Sequence, residues 1–198
     1  PNSILEDPLG NLFGTTYSGG GANDGTVFEL PLNSHSIHTI LNFDGTAGIH
    51  PTGLAIDSQG NLLGVTSHGG PGDSGTEFQI SADFRSSQSF NPFSQYLEAP
   101  FGRLTIDSFG NLFGIAFPGT TAFAEGYEIT PEHLTNFVTI NHYPNPGLPG
   151  MAVGPDGNIV ILAPAAGDTS PDYGHLFTFK SDADNDSSMI IGYISGLA

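Results

Sequence analysis

The chain has 198 residues, of which 37% are hydrophobic, and is long enough for one domain with a sizeable core. Three Lys and Arg stand against 20 Asp and Glu, a formal net charge of −17, which repels nucleic acid and anionic lipid and excludes nucleic acid as a partner. There is no cysteine, hence no disulfide and no thiolate metal site, and no run approaches the ~18 apolar residues of a membrane helix.

Gly and Pro number 28 and 15, and they punctuate short apolar runs, so they read as turns. The first apolar run is Ser3-Ile4-Leu5. A turn follows, Asp7-x-x-Gly10-Asn11, in which the Asp side chain can cap the turn and Gly supplies a positive φ. A second strand runs from Asn11 through Leu12-Phe13-Gly14-Thr15-Thr16. After a Gly-rich loop over residues 17–25 comes a third strand, Thr26-Val27-Phe28-Glu29-Leu30, and then a fourth over residues 38–43. The same order then repeats. Gly-Asn-apolar-apolar recurs at Gly10, Gly60, Gly110 and Gly157, at spacings of 50, 50 and 47. Asp7, Asp57 and Asp107 each stand three residues before the Gly, where the fourth copy has Gly154. The later third strands are Thr76 to Ile80, Gly126 to Ile129 and His175 to Phe179, and the later fourth strands cover residues 88–93, 137–141 and 189–194.

No segment holds a 3.6-residue apolar period, and turn signals recur every 8–12 residues, so the fold class is all-β. Four strands in each repeat of 40–50 residues predict a four-bladed β-propeller with four antiparallel strands per blade. The repeats, about 1–50, 51–99, 100–147 and 148–198, make a single domain. Small residues such as Gly14, Gly64 and Gly114 beside Phe13 and Phe113 suit sheets buried on both faces, and the recurring residues read as structural.

At these residues the chain resembles bacterial tandem-repeat proteins of the GloVer type. Their pattern matches Gly10 to Thr16, Gly19-Gly20 and Gly25-Thr26-Val27-Phe28. The match extends along the chain, is strongest in the first two repeats, and drifts at Phe117-Pro118-Gly119-Thr120 in the third. The resemblance implies a secreted or surface-anchored β-propeller, with no established enzyme activity and no catalytic residues to carry over.

Candidate binding residues lie where the repeats differ, on loops 17–25, 67–75, 117–126 and 163–174 and linkers 44–53, 94–102 and 142–150. Function usually sits on variable loops over a rigid scaffold. Tyr17, Asn23, Asp24, His50, His68, Asp73, His142 and Tyr143 are the candidates: aromatics beside Asn and Asp give a sugar its stacking plane and fixed hydrogen-bond partners. Asp182, Asp184 and Asp186 alternate as at the start of a calcium loop, which makes Ca²⁺ the one candidate cofactor, although Ser187 and Tyr193 stand at the later positions. Gly72-Asp73-Ser74-Gly75 matches a protease nucleophile motif but fills the slot of Asn23-Asp24-Gly25, which argues for coincidence. The seven His fall at unlike repeat positions, which disfavours a symmetric metal site and leaves an asymmetric one on His50 and His142.

Together these readings predict a non-enzymatic extracellular module, a structural or adhesive unit of a secreted or cell-surface assembly, with self-association or a surface glycan as partner. A carbohydrate-binding propeller is the alternative, ahead of a carbohydrate-active enzyme, for which sequence alone selects no carboxylate pair. The opening Pro1 and the boundaries of the first and last repeats suit a processed or excerpted product, with closure by blade packing, by a second copy or in a longer array.

Overall fold

The computed structural model describes residues 2–93, 98–117, 125–133, 135–139, 150–154, 158–163, 175–180 and 189–192. Its strands, in chain order, are β1 Ser3–Glu6, β2 Leu12–Thr16, β3 Thr26–Leu30, β4 His38–Asn42, β5 Ile49–Ile56, β6 Leu62–His68, β7 Thr76–Ile80 and β8 Ser87–Phe90. They continue as β9 Glu98–Ile106, β10 Leu112–Phe117, β11 Glu125–Ile129, β12 Thr135–Thr139, β13 Gly150–Val153, β14 Asn158–Ala163, β15 His175–Lys180 and β16 Met189–Gly192. Each group of four forms an antiparallel sheet whose strands pair in chain order. The described chain is therefore all-β and built of meanders, one per repeat.

The recurring turn between the first and second strands is a closed hydrogen-bond unit. Asp57 Oδ1 accepts from the amides of Gln59 and Asn61, both at 2.8 Å, and Asp57 Oδ2 accepts from Asn61 Nδ2 at 2.8 Å. Asn61 Oδ1 then accepts from the amide of Ala82, tying this turn to the one between the third and fourth strands. Asp7, Asn11 and Leu32 repeat the whole arrangement, and Asp107 with Asn111 repeats the carboxylate part. The Gly at the end of each turn has a positive φ, +87° at Gly10, +86° at Gly60 and +91° at Gly110, as its position requires.

Packing explains the small residues inside the second strands. A Cβ at Gly14, Gly64 or Gly114 would strike the ring of Phe28, Phe78 or Tyr127, the cross-strand partner in each sheet. The ring tips occupy the space over the glycines, and the sheets can then stack. Phe13, Val27 and Phe43 of the first repeat pack on Leu54, Leu62, Phe78 and Ile80 of the second sheet. Ala55, Leu63, Val65 and Phe93 of the second repeat pack on Leu112, Ala116, Tyr127 and Ile129 of the third. The two interfaces correspond position by position. Phe43 meets Phe78 edge-on at 5.1 Å, and Phe93 meets Tyr127 edge-on at 5.2 Å. Asn2 Nδ2 donates to the carbonyl of Pro51, and Thr52 Oγ1, fifty residues on, donates to the carbonyl of Pro100. The first strands β1, β5, β9 and β13 each contact the next.

Two sequence expectations shift. The expected linkers at 44–53 and 94–102 are in part strand, since β5 starts at Ile49 and β9 at Glu98. Pro51 and Gly53 flank a register shift in β5, so the missing N–H of proline falls at an irregularity of the ladder. The expected loop at 67–75 begins only after His68, the last residue of β6.

Candidate functional site

Three of the loop-face candidates come together. The Tyr17 and His50 rings stack at 3.9 Å with only 6° between their planes, and His68 meets His50 edge-on at 5.6 Å. Tyr17 is 47% exposed, so its outer face is open to solvent. His50 sits at the start of β5 with φ +57°, and its amide donates to the carbonyl of Asp24 at 2.7 Å. Ser67 Oγ lies 3.2 Å from the His50 carbonyl and 2.9 Å from His68 Nδ1. A serine hydroxyl has one proton; given to the carbonyl, it leaves Oγ to accept from His68 Nδ1–H. His50 Nδ1 is buried without a hydrogen-bond partner.

Asn23 and Asp73 also serve the architecture of their own loops. Both have left-handed backbones, φ +66° and +60°, and both close their own loops. Asn23 Oδ1 accepts from the Gly19 amide at 3.1 Å, and Asp73 Oδ1 accepts from the Gly69 amide at 2.7 Å. Their repeat-equivalent roles explain why the protease-like Gly72-Asp73-Ser74-Gly75 occurs where it does: Asp73 fills a turn position, and Ser74 is fully buried. His142, Tyr143, Asp182, Asp184 and Asp186 lie outside the described residues. Among the described residues no group of three or more His, Asp or Glu converges on a metal position.

A second constellation lies at the opposite end of the sheets, between the second and third. There a cleft of about 400 Å³ opens between the turns at Asp57–Gln59 and Asp107–Gly110. Its wall carries Glu77, which is only 1% exposed. Glu77 Oε2 lies 2.9 Å from His133 Nδ1, and the His133 ring stacks on Phe90 at 3.4 Å. Burial raises the Glu77 carboxyl above its ordinary range, against the opposing pull of the His133 hydrogen bond and charge. Burial also holds the Tyr127 phenol well above its usual range, with the Glu77 charge adding to the effect. With Glu77 ionised, His133 Nδ1–H donates to it and Nε2 is left for another partner.

Sequence reasoning passed over Glu77 and His133, yet a signal was there. In the ladders, Glu77 pairs with Val65 as Val27 pairs with Thr15, so Glu77 replaces a valine of the first repeat. His133, with φ +61° and its amide bonded to the Thr130 carbonyl, takes the place of Phe84, with φ +56° and its amide bonded to the Ser81 carbonyl.

The Gloeobacter/Verrucomicrobia repeat model matches residues 1–177, the greater part of the chain. The chain belongs to that family. No curated protein matches it. Among solved structures it is similar to PorZ of Porphyromonas gingivalis, an essential bacterial surface component of the type-IX secretion system, with TM-score 0.58 and 16% identity over 89% of this chain and 24% of that one. It is also similar to a Dyadobacter fermentans protein of unknown function, with TM-score 0.59 and 9% identity over 95% of this chain and 63% of that one. An exo-1,5-α-L-arabinanase from a bovine ruminal metagenomic library gives TM-score 0.53 and 14% identity over 94% and 76%. The chain thus spans about a quarter of PorZ and under two thirds of the Dyadobacter protein. At these identities the likeness speaks for the fold, which is propeller-like, and the family supports a tandem-repeat β architecture.

Proposed function

We propose that this chain is a four-bladed propeller domain over residues 1–198 that works as a non-enzymatic structural or adhesive module of a secreted or cell-surface assembly. The observation that carries the reading is where the recurring polar groups go. Asp7, Asp57 and Asp107 spend their carboxylates on their own turns, Asn11 and Asn61 link two turns each, and Asn23 and Asp73 close loops. The repeat chemistry is that of a scaffold. The surface role stated for PorZ and the membership of a bacterial repeat family support an extracellular setting. The arabinanase likeness brings no residue with it.

Light scattering and negative-stain microscopy of the purified native material test this reading. Filaments or large oligomers are expected. A monomer at all concentrations would overturn the assembly role.

A second reading, a carbohydrate-binding propeller, is favoured by one specific observation: Tyr17 is held flat on His50 with its outer face open, a rigid stacking plane for a sugar ring. A glycan array probed with the native protein and with Tyr17→Ala tests it. Hits that vanish in the variant support it, and an empty array with the native protein overturns it.

A further inference from the structure

The two inter-sheet interfaces share one plan, and three of the places where they differ lie together. Between the first and second sheets, Phe13 packs on Phe84 at 5.6 Å, beside the buried Val27, and the space is apolar. Between the second and third, the same positions hold Leu63, His133 and Glu77, and the space is a cleft of about 400 Å³. A smaller side chain replaces Phe13, and two ionisable ones replace Val27 and Phe84.

The lining then says what the cleft can hold. Apart from His133 it has no basic residue, while Asp57, Glu77 and Asp107 are all acidic, so anions are disfavoured. The carboxylates are also hydrogen-bonded within the protein. Glu77 is paired with His133, and the Asp57 and Asp107 carboxylates accept three hydrogen bonds each within their own turns. Among the described residues no three of these groups converge on a cation position. What remains is a set of neutral polar groups: the amides of Gln59 and Gln79, the hydroxyls of Ser58 and Ser108, and Thr130. Thr130 is 4% exposed and its Oγ1, itself closed off from solvent, has no hydrogen-bond partner, so a buried hydroxyl lies unsatisfied behind the cleft wall. At the rim Phe109 is 59% exposed, an apolar plane beside polar walls.

From this juxtaposition we infer that the cleft between the second and third sheets binds a neutral polyhydroxylated small molecule of mono- to disaccharide size. The volume falls within the range of about 300–1,000 Å³ usual for small-molecule pockets. Ring hydroxyls would pair with Gln59 and Gln79, and the apolar face of the ring would lie on Phe109. The site is separate from the Tyr17–His50 platform, which lies at the other end of the sheets.

Saturation-transfer NMR of the full chain with D-glucose, D-galactose, D-mannose, cellobiose and myo-inositol tests the inference. At least one probe should receive saturation from the native protein. Gln79→Ala should weaken that probe by about tenfold, as loss of a half-buried hydrogen-bonding partner does. The double variant Glu77→Val/His133→Phe rebuilds the apolar pair of the first interface; it should melt no lower than the native protein and lose the signal. If the double variant fails to fold, Gln79→Ala carries the test alone. Gly21→Ala, at an open loop position, should leave the signal unchanged. No transfer to any probe, transfer that survives Gln79→Ala, or transfer abolished by Tyr17→Ala would each overturn the inference, the last by moving the sugar to the loop face.

Discussion

Replacing Asp57 with alanine removes the acceptor at the centre of one turn. Three hydrogen bonds go with it, from the amides of Gln59 and Asn61 and from Asn61 Nδ2, all at 2.8 Å. The turn is partly exposed, so water replaces some of what is lost, and each bond is best valued at about 0.5–1.5 kcal/mol. The sum is about 2–4 kcal/mol for Asp57→Ala. In a domain of this size about 1 kcal/mol shifts the thermal midpoint by about 2–4 °C, so a fall of roughly 4–15 °C is expected. Asp57→Asn gives a built-in comparison. Its remaining oxygen can still accept from the two amides, but its NH₂ faces Asn61 Nδ2, donor against donor. It should therefore fall between the native protein and the alanine variant. Circular dichroism melts, with urea midpoints as a second measure, read the result. If Asp57→Ala lies within about 0.5 kcal/mol of native, the usual range for an inert surface change, the turn is not a structural unit and the scaffold reading of the recurring Asp fails.

Two further predictions follow from packing and charge. Gly64→Ala drives a methyl group into the ring of Phe78, which is fully buried, and to 2.7 Å from the Gly53 carbonyl oxygen; about 1–3 kcal/mol should be lost in urea unfolding. Gly21→Ala meets nothing within 4 Å and should change stability by less than about 0.5 kcal/mol, and equal effects in the two variants would refute the packing argument. Burial raises the folded-state pKa of Glu77 above 4.5, so the folded chain binds more protons there than the unfolded chain. That contribution is fully present below pH 4.5 and is lost as pH rises through the raised value, so Glu77→Gln should gain stability relative to native as pH increases across that window. A native-minus-variant difference in urea midpoints that stays flat or runs the other way would show that Glu77 is not held in a desolvated site.

How much of this was legible in the sequence depends on how far apart the cooperating residues lie. The Asp-x-x-Gly-Asn turn is local: donor and acceptor stand within four residues, so the motif itself reveals it. The third strands are equally plain, since Thr26–Leu30 and Thr76–Ile80 are short β-rich runs between turn signals. The early starts of β5 and β9 were hidden because Pro51, Gly53, Pro100 and Gly102 are turn-forming residue types, and only the pairing with β6 and β10 makes extended strand of them. Tyr17, His50 and His68 were each visible as loop-face aromatics, but their stacking depends on β5 carrying His50 back beside the end of β6. Asn23 and Asp73 hold a loop-closing role that residue type alone did not reveal. Their residue type suits a ligand, while their left-handed backbones turn the side chains onto Gly19 and Gly69.

Glu77 and His133 were the hardest to see because neither is unusual alone. A glutamate in a strand and a histidine in a turn acquire meaning only when two repeats meet. The chain supplies its own control: in the equivalent space one interface earlier it places Val27 and Phe84, with no buried charge. A buried ion pair is often no more stable than apolar residues of similar volume, because both groups must leave water. Stability alone therefore gives no reason to exchange an apolar plug for a carboxylate and an imidazole around an open space. The exchange makes physical sense if the second interface has something to hold, and that is why the Glu77→Val/His133→Phe variant separates the two explanations: a firmer protein that has lost its sugar places the site in the cleft, and a firmer protein that keeps it does not.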